Sequence, residues 1–355
     1  MPTTSLNQDL TAAKIAKKDE FYTQLSDIEK EMRHYKEHFK GKTVLCNCDD
    51  PRVSNFFVYF SQNFEQLGLT KLITTCYKNQ NVDLFSQHNC EHAIYLEYYG
   101  DLNGNRVPDP EEIGIKHLKG DGDFRSEECI KLLEEADVVV TNPPFSLFRE
   151  HLGVLVKHEK KFAIIGNMNA ITYKGVFNLI RDNKLWLGRS IRSGDREFGV
   201  PDEYPLEAST YRVDGAGKKF IRVKGVRWFT NLDFPERHEN LVLYKKYTPE
   251  AYPRYDNYDA IEVGKAKDIP LDFDGIMGVP ITFLDKYNPE QFEIVGTLDS
   301  NDRDNPYRTR FYTSQECRDA YQKRFGKPGV YDLNAAGVID GVKVFKRILI
   351  RRRKK

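Results

Sequence analysis

The chain has 355 residues, of which 40% are apolar and 12% aromatic, enough to bury one full α/β core and leave about 100 residues for an accessory lobe. No run of eighteen apolar residues occurs and the N-terminus carries no hydrophobic stretch, which argues against membrane insertion and export and sets the expectation of a cytosolic protein. The net charge of +1 hides an asymmetry: residues 303–355 hold 15 Lys and Arg against 5 Asp and Glu, leaving residues 1–302 at −9, so a polyanion is expected to meet the C-terminal end.

Taken in chain order, residues 8–38 place apolar positions at helical spacing, interrupted near Asp19 to Thr23 and stopped at Gly41, which predicts two short helices. Short apolar runs then read as buried strands: Thr43 to Cys46, Lys71 to Cys76, Ala136 to Val140 and Phe162 to Ile165. Helix-compatible segments lie between and after them, at Ser54 to Leu67, Ser126 to Glu135 and Leu147 to His158. This alternation predicts an α/β fold with a mostly parallel sheet, its ligands outside the C-terminal strand ends. Asp101, Asn103, Asn105, Asp109 and Glu112 imitate calcium-loop spacing, but Arg106 stands where glycine is needed, so a hairpin turn at Asn103-Gly104 is expected instead. Arg222 to Phe229 and Asn240 to Tyr247 read as an edge hairpin. Beyond a Tyr/Pro/Asp-rich boundary at 252–258, Pro270, Pro280, Pro289 and Pro306 punctuate short strand-like runs. Cys46, Cys48, Cys76, Cys90, Cys129 and Cys317 read as reduced thiols, and no metal site is expected.

The segment with chemical content is Thr141-Asn142-Pro143-Pro144-Phe145, directly after the apolar run Val138-Val139-Val140. Two prolines end the strand in a rigid extended turn, leaving the Pro143 carbonyl and the Asn142 amide oxygen as fixed acceptors with an aromatic ring beside them. A stiff turn without chemistry is the bland alternative.

Following a buried strand, this motif resembles the catalytic motif of amino-methylating DNA methyltransferases, and Phe at its last place leans toward adenine. The motif is shared with cytosine amino-methyltransferases and, in a Tyr-ending form, with protein glutamine methyltransferases. Cys48-Asp49-Asp50-Pro51 followed by Ser54-Asn55-Phe56-Phe57, Gly120 to Ser126, Thr141 to Ser146 and Gly278 to Glu293 together resemble the EcoRI-like adenine-specific DNA methyltransferases over most of the chain. The resemblance implies a Rossmann-like sheet with a smaller C-terminal α+β recognition lobe, S-adenosylmethionine as cofactor, and transfer to N6 of a flipped adenine in duplex DNA. It also implies a monomer of the prokaryotic cytosol or nucleoid, or phage-encoded, with a cognate restriction endonuclease as a possible companion.

By the same resemblance, Asn142 and Pro143 accept the adenine amino hydrogens, Pro144 stiffens the turn and Phe145 stacks on the base. Phe21-Tyr22-Thr23 would hold the methionine end of the cofactor, and Asp123-Phe124 its adenine. Asn47, Cys48, Asp49, Asp50 and Pro51 stand where its amino-acid end should lie, although the usual Gly-rich turn is absent there and no acidic residue in Thr75 to Asn79 is available for the ribose. Trp228 or Phe229 is the candidate second face of the base clamp. Arg192 and Arg196, in the polar loop Arg189 to Gly199, are candidate DNA contacts, as are Arg303, Arg308, Arg310, Lys323 and Arg324 in the basic lobe. The expected organisation is an N-terminal segment 1–40 contributing to the cofactor site, a catalytic domain 41–248 and a recognition lobe 249–355. The rival readings are an acceptor other than duplex adenine (cytosine N4, RNA adenine or a protein amide) and a silent DNA-binding relative.

Overall fold

The computed structural model describes residues 21–48, 54–76, 93–105, 108, 112–192, 195–200, 211–299 and 304–354. In chain order the strands are β1 (Tyr22–Thr23), β2 (Thr43–Cys46), β3 (Lys71–Thr75), β4 (Ile94–Tyr98), β5 (Ile113–His117), β6 (Val138–Thr141), β7 (Lys161–Asn167), β8 (Trp186–Leu187), β9 (Asp195–Val200), β10 (Tyr211–Val213), β11 (Lys219–Lys224) and β12 (Val226–Thr230). They continue with β13 (Ile261–Glu262), β14 (Met277–Val279), β15 (Phe292–Thr297), β16 (Val338–Ile339), β17 (Val342–Lys343) and β18 (Ile348–Arg352). The helices are α1 (Leu25–Met32), α2 (Asn55–Gln62), α3 (Phe64–Leu67), α4 (Glu127–Glu135), α5 (Phe148–Lys157), α6 (Lys174–Arg181) and α7 (Ser314–Phe325).

Eight strands form one mixed sheet in the order β5-β4-β3-β2-β6-β7-β12-β8. Its centre, β3-β2-β6-β7, is parallel, and antiparallel strands flank it on both sides. All of β3 and β6 is buried, which is why, beyond Lys71 at the start of β3, these strands read as unbroken apolar or β-branched runs rather than alternating ones. Because β2 neighbours β3 on one side and β6 on the other, successive connections diverge at the β2/β6 boundary, where α/β sheets hold ligands. Ser54 accepts from the Phe56 N–H and Ser126 from the Cys129 N–H, starting α2 and α4 where the serines predict.

The alternation of strands and helices thus appears as expected, and β4 and β5 form the expected antiparallel pair, with Gly104 at φ +79° in their connection. The hairpin expected from Arg222 to Tyr247 does not. Gly225, at φ +71°, divides the first run. Lys219–Lys224 joins a separate antiparallel sheet, β1-β9-β11-β10, and Val226–Thr230 pairs with β7 and β8 in the large sheet. Asn240 to Tyr247 forms no strand. Its Leu241 N–H donates to Gln291 Oε1 (2.7 Å) and its Tyr247 N–H to Asp272 Oδ1 (2.7 Å), so side chains satisfy a backbone that a ladder would otherwise have taken. Asp195 to Gly199, expected as part of a polar loop, lies in strand β9.

The chain divides into two compact units, Met1–Val176 with Leu185–Asp233, and Phe177–Lys184 with Phe234–Lys355. The break at Asp233 precedes the boundary expected at 248/249. The second unit has its own sheet, β13-β14-β18-β15, the short hairpin β16-β17, and helix α7, whose Thr313/Glu316 capping box fixes its start. The basic C-terminus is therefore an internal strand for much of its length: β18 pairs with both β14 and β15. Among the described residues, no helix is long and apolar enough to cross a membrane.

Gly225 is the hinge on which one run serves two sheets, and a side chain there would have to occupy left-handed backbone. Gly225→Val is expected to cost about 1–2 kcal/mol, read as a lower urea midpoint at unchanged slope; an unchanged midpoint would contradict this role.

Candidate active site

The Val-rich β6 ends at Thr141, whose hydroxyl donates to the Asn47 carbonyl across the ends of β6 and β2. This bond sets the next residue. Asn142 is buried, and its Nδ2 donates to the Phe21 carbonyl at 2.7 Å. That bond decides which end of the amide is which, and it leaves Oδ1 as a buried acceptor with no hydrogen-bond partner among the described residues. Such an atom is rare in a folded protein, because a buried acceptor left unmatched costs about 1–3 kcal/mol. Pro143 is buried, Pro144 is extended (φ −49°, ψ 128°), and half-buried Phe145 opens the short turn that leads into α5.

The N-terminal motif arrives from the other sheet. Tyr22 and Thr23 pair with Gly199 and Phe198 of β9, and the Thr23 carbonyl accepts from Asn55 Nδ2 (2.6 Å) at the start of α2. Phe21 meets Phe145 edge-on with ring centres 5.5 Å apart, and Phe198 lies 5.8 Å from Phe21 and 6.4 Å from Phe145. Thr23 Oγ1 is a second buried atom without a partner among the described residues.

The loop after β2 shows what replaces a Gly-rich turn. Cys48 takes φ +79°, the conformation glycine would ordinarily supply, with its thiol against Asn47 Oδ1 (3.5 Å). Asn47 is buried and also faces His151 Nε2 of α5 at 3.2 Å. Across from it, Gly122 (φ +80°) brings residues 120–124 against the end of β3 so closely that a Cβ would sit 2.3 Å from the Cys76 carbonyl oxygen. Phe124, half-buried, meets the His151 ring edge-on at 5.0 Å. Arg125 grips Asp123 through Nε (2.9 Å) and Nη2 (2.6 Å), which holds the Asp123 carboxyl below its ordinary range.

Phe21, Tyr22, Thr23, Asn47, Cys48, Asp123, Phe124 and Asn142 to Phe145 therefore gather at one end of the sheet. Asp49, Asp50, Pro51 and Arg303 lie outside the described residues. Trp228 and Phe229 do not join the site: both are fully buried in β12, Trp228 against Phe56 and Phe229 against Phe148, so neither has a face for a base. Arg308 is likewise a strut rather than a phosphate contact. Its guanidinium lies 5.0 Å from the Tyr258 ring and 4.4 Å from Phe311, donates to the Asn334 carbonyl (2.6 Å), and buries Nε and Nη1. Arg196 is half-buried beside Asp27 (4.0 Å), and Arg310 is paired with Glu316. Arg192, Lys323 and Arg324 are exposed. Cys46, Cys48, Cys129 and Cys317 are free thiols, and Cys90 lies outside the described residues.

Sequence reasoning passed over His151 and Glu31. His151 stands on the apolar stripe Phe148, Leu152, Leu155 of α5, where a histidine reads as core. Glu31 is wholly buried, and its carboxylate accepts from Tyr35 Oη (2.6 Å), Arg189 N (2.8 Å) and Ser190 N (2.7 Å), tying α1 to the segment that leads into β9. Only tertiary structure supplies those partners.

Burial pushes the His151 imidazole down to about 4, so it is neutral at physiological pH, with Nε2–H donating to Asn47. The unfolded chain takes up a proton near 6.5 while the folded chain does not, so the stability from this residue is complete above pH 6.5 and is lost as pH falls toward 4. The stability of wild type relative to His151→Leu should therefore fall as denaturation is repeated from pH 7.5 down to pH 4.5; a difference independent of pH would contradict the buried neutral state.

Residues 9–353 match the family described as adenine-specific methyltransferase EcoRI. The chain is 52% identical over 297 residues to the type II methyltransferase M.EcoRI of Escherichia coli, covering 83% of this chain and 90% of that protein. It is 40% identical over 302 residues to the type II methyltransferase M.MgeORF184P of Mycoplasma genitalium, covering 84% and 87%. With the type II methyltransferase M.MpnI of Mycoplasma pneumoniae it shares 39% identity over 301 residues, covering 84% and 86%. No solved structure matches the chain. With an Asn-Pro-Pro-Phe turn holding a spare acceptor at a central strand end, a family match over residues 9–353 and relatives matched over more than four fifths of it, the chain belongs to the adenine-specific methyltransferase EcoRI family.

Proposed function

We propose that this site-specific DNA methyltransferase moves the methyl group of S-adenosylmethionine to N6 of an adenine flipped out of duplex DNA, at a Rossmann-like sheet, with the segment 249–355 as the recognition lobe. The observation that carries the reading is the Asn142 amide, turned by the Phe21 carbonyl so that Oδ1 is left as an unmatched acceptor.

The residues around it suit the donor. Thr23 Oγ1 is an unmatched polar atom toward its methionine end, Phe124 offers a half-buried ring for its adenine, and Asp123 Oδ2, which takes one Arg125 bond where Oδ1 takes two, keeps a lone pair. S-adenosylmethionine, when bound, supplies a methyl group activated by its sulfonium.

The protein's own part is positioning and hydrogen bonding. An adenine amino group is a weak nucleophile because its lone pair is delocalised into the ring. Asn142 Oδ1 and the Pro143 carbonyl, by accepting its two hydrogens, localise that pair toward the methyl. Phe145 stacks on the base, whose extrusion from the duplex costs a few kcal/mol. No motif residue needs to act as a strong base, since the methylated amine is acidic enough to release its proton to water. The enzyme is proposed to work as a monomer in a prokaryotic cytoplasm or from a phage genome, alongside a cognate endonuclease where one is encoded.

Asn142→Ala is expected to lower methyl transfer by about 100-fold or more while duplex affinity stays within about twofold. Labelled donor followed by nucleoside analysis checks this. Label recovered by wild type as N4-methylcytosine, in RNA or in protein, or no label in any adenine-containing duplex, would overturn the reading.

Exposed Lys323 and Arg324 of α7 are the lobe's proposed phosphate contacts. Replacing either with Ala should weaken duplex binding for all sequences alike and reduce the salt slope by about 1. Arg308→Ala should instead lower the thermal midpoint. Unchanged salt slopes for both α7 variants would move the DNA face elsewhere.

A further inference from the structure

We propose that His151 is a positioning residue for the methyl donor, one imidazole that holds both ends of the donor site in register; this rests on the donor-site reading above. Its Nε2–H donates to Asn47 Oδ1 (3.2 Å) in the loop assigned to the donor's amino-acid end. The same ring meets Phe124, assigned to the donor's adenine, edge-on at 5.0 Å and 67°. Asn47 in turn accepts from the Thr141 hydroxyl through its carbonyl, so the imidazole is two bonds from the catalytic motif. Helix α5 thus follows the Asn-Pro-Pro-Phe turn directly and, within its first turn, returns a side chain to the loop after β2.

A space-filling role does not account for the residue type. His151 is 1% exposed, and its neighbours on the buried stripe are Phe148, Leu152 and Leu155. Among the described residues its Nδ1 has no partner, a cost that Leu or Met would avoid. What a hydrocarbon cannot supply is the N–H that orients Asn47.

Two variants and one spectrum test this. His151→Met fills the space without donating, whereas His151→Gln places an N–H at similar reach. Calorimetric titration of the full chain with S-adenosylmethionine should give a dissociation constant about tenfold higher for His151→Met. The KM for the donor should rise with it while kcat stays within about threefold, and His151→Gln should recover most of both. In the wild type, labelled with 15N-histidine, the His151 resonances should report the Nε2–H tautomer and shift on saturation with donor, a measurement that does not depend on any variant folding. Wild-type affinity in His151→Met, no recovery in a folded His151→Gln, or no shift in the spectrum would each overturn the proposal. Thr23→Ala and Phe124→Ala separate it from the reading beneath it. If these lose donor and His151→Met does not, only the role of His151 fails; if they bind donor like wild type, the donor site itself is misplaced.

Discussion

Thr141 donates its hydroxyl hydrogen to the Asn47 carbonyl across the ends of β6 and β2, and the arrangement of the site follows from that bond. These strands are parallel neighbours but not consecutive, so their following loops leave the same end of the sheet with nothing in the chain path to hold them together. A buried side-chain bond does so instead. With the two loops pinned, Asn142 reaches the Phe21 carbonyl and Asn47 reaches His151, and each amide is oriented by a partner distant in sequence. The chemistry proposed for Asn142 requires this: an amide free to flip would present a donor as readily as an acceptor.

Backbone conformation does the rest of the positioning. Where the family resemblance leads one to expect a Gly-rich turn, this chain places Cys48 in left-handed backbone, at a cost of about 1–2 kcal/mol. Gly122, in contrast, has no alternative, because the Cys76 carbonyl occupies the space of any side chain. One position shows a conformation imposed on an ordinary residue by its surroundings. The other shows a residue imposed by the conformation.

In the second unit, composition and structure give different pictures of the same charges. The C-terminal region is strongly basic, yet Arg347 is clasped by Glu262, Arg351 by Glu293 and Arg310 by Glu316, while Arg308 is half-buried between rings. Charge that is already paired, or held by carbonyls, releases few counterions on meeting DNA. The cations left for that purpose are fewer than the count implies, and Lys323 and Arg324 on α7 are among them.

The sequence by itself determined the sheet's central strands, because buried parallel strands must be continuously apolar, and it located the rigid Asn-Pro-Pro-Phe turn, because paired prolines after such a strand permit little else. It also marked Phe21 to Thr23 and Asp123-Phe124 as members of one site through their order along a familiar motif series. Tertiary structure alone decided that Trp228 and Phe229 are core and that His151 and Glu31 are polar anchors. It alone divided a single strand-like run between two sheets at Gly225. The reason is the same in each case: an aromatic, a buried histidine or a glycine has the same local pattern in either role, and only the partner across space, Phe56, Asn47 or a neighbouring strand, distinguishes them.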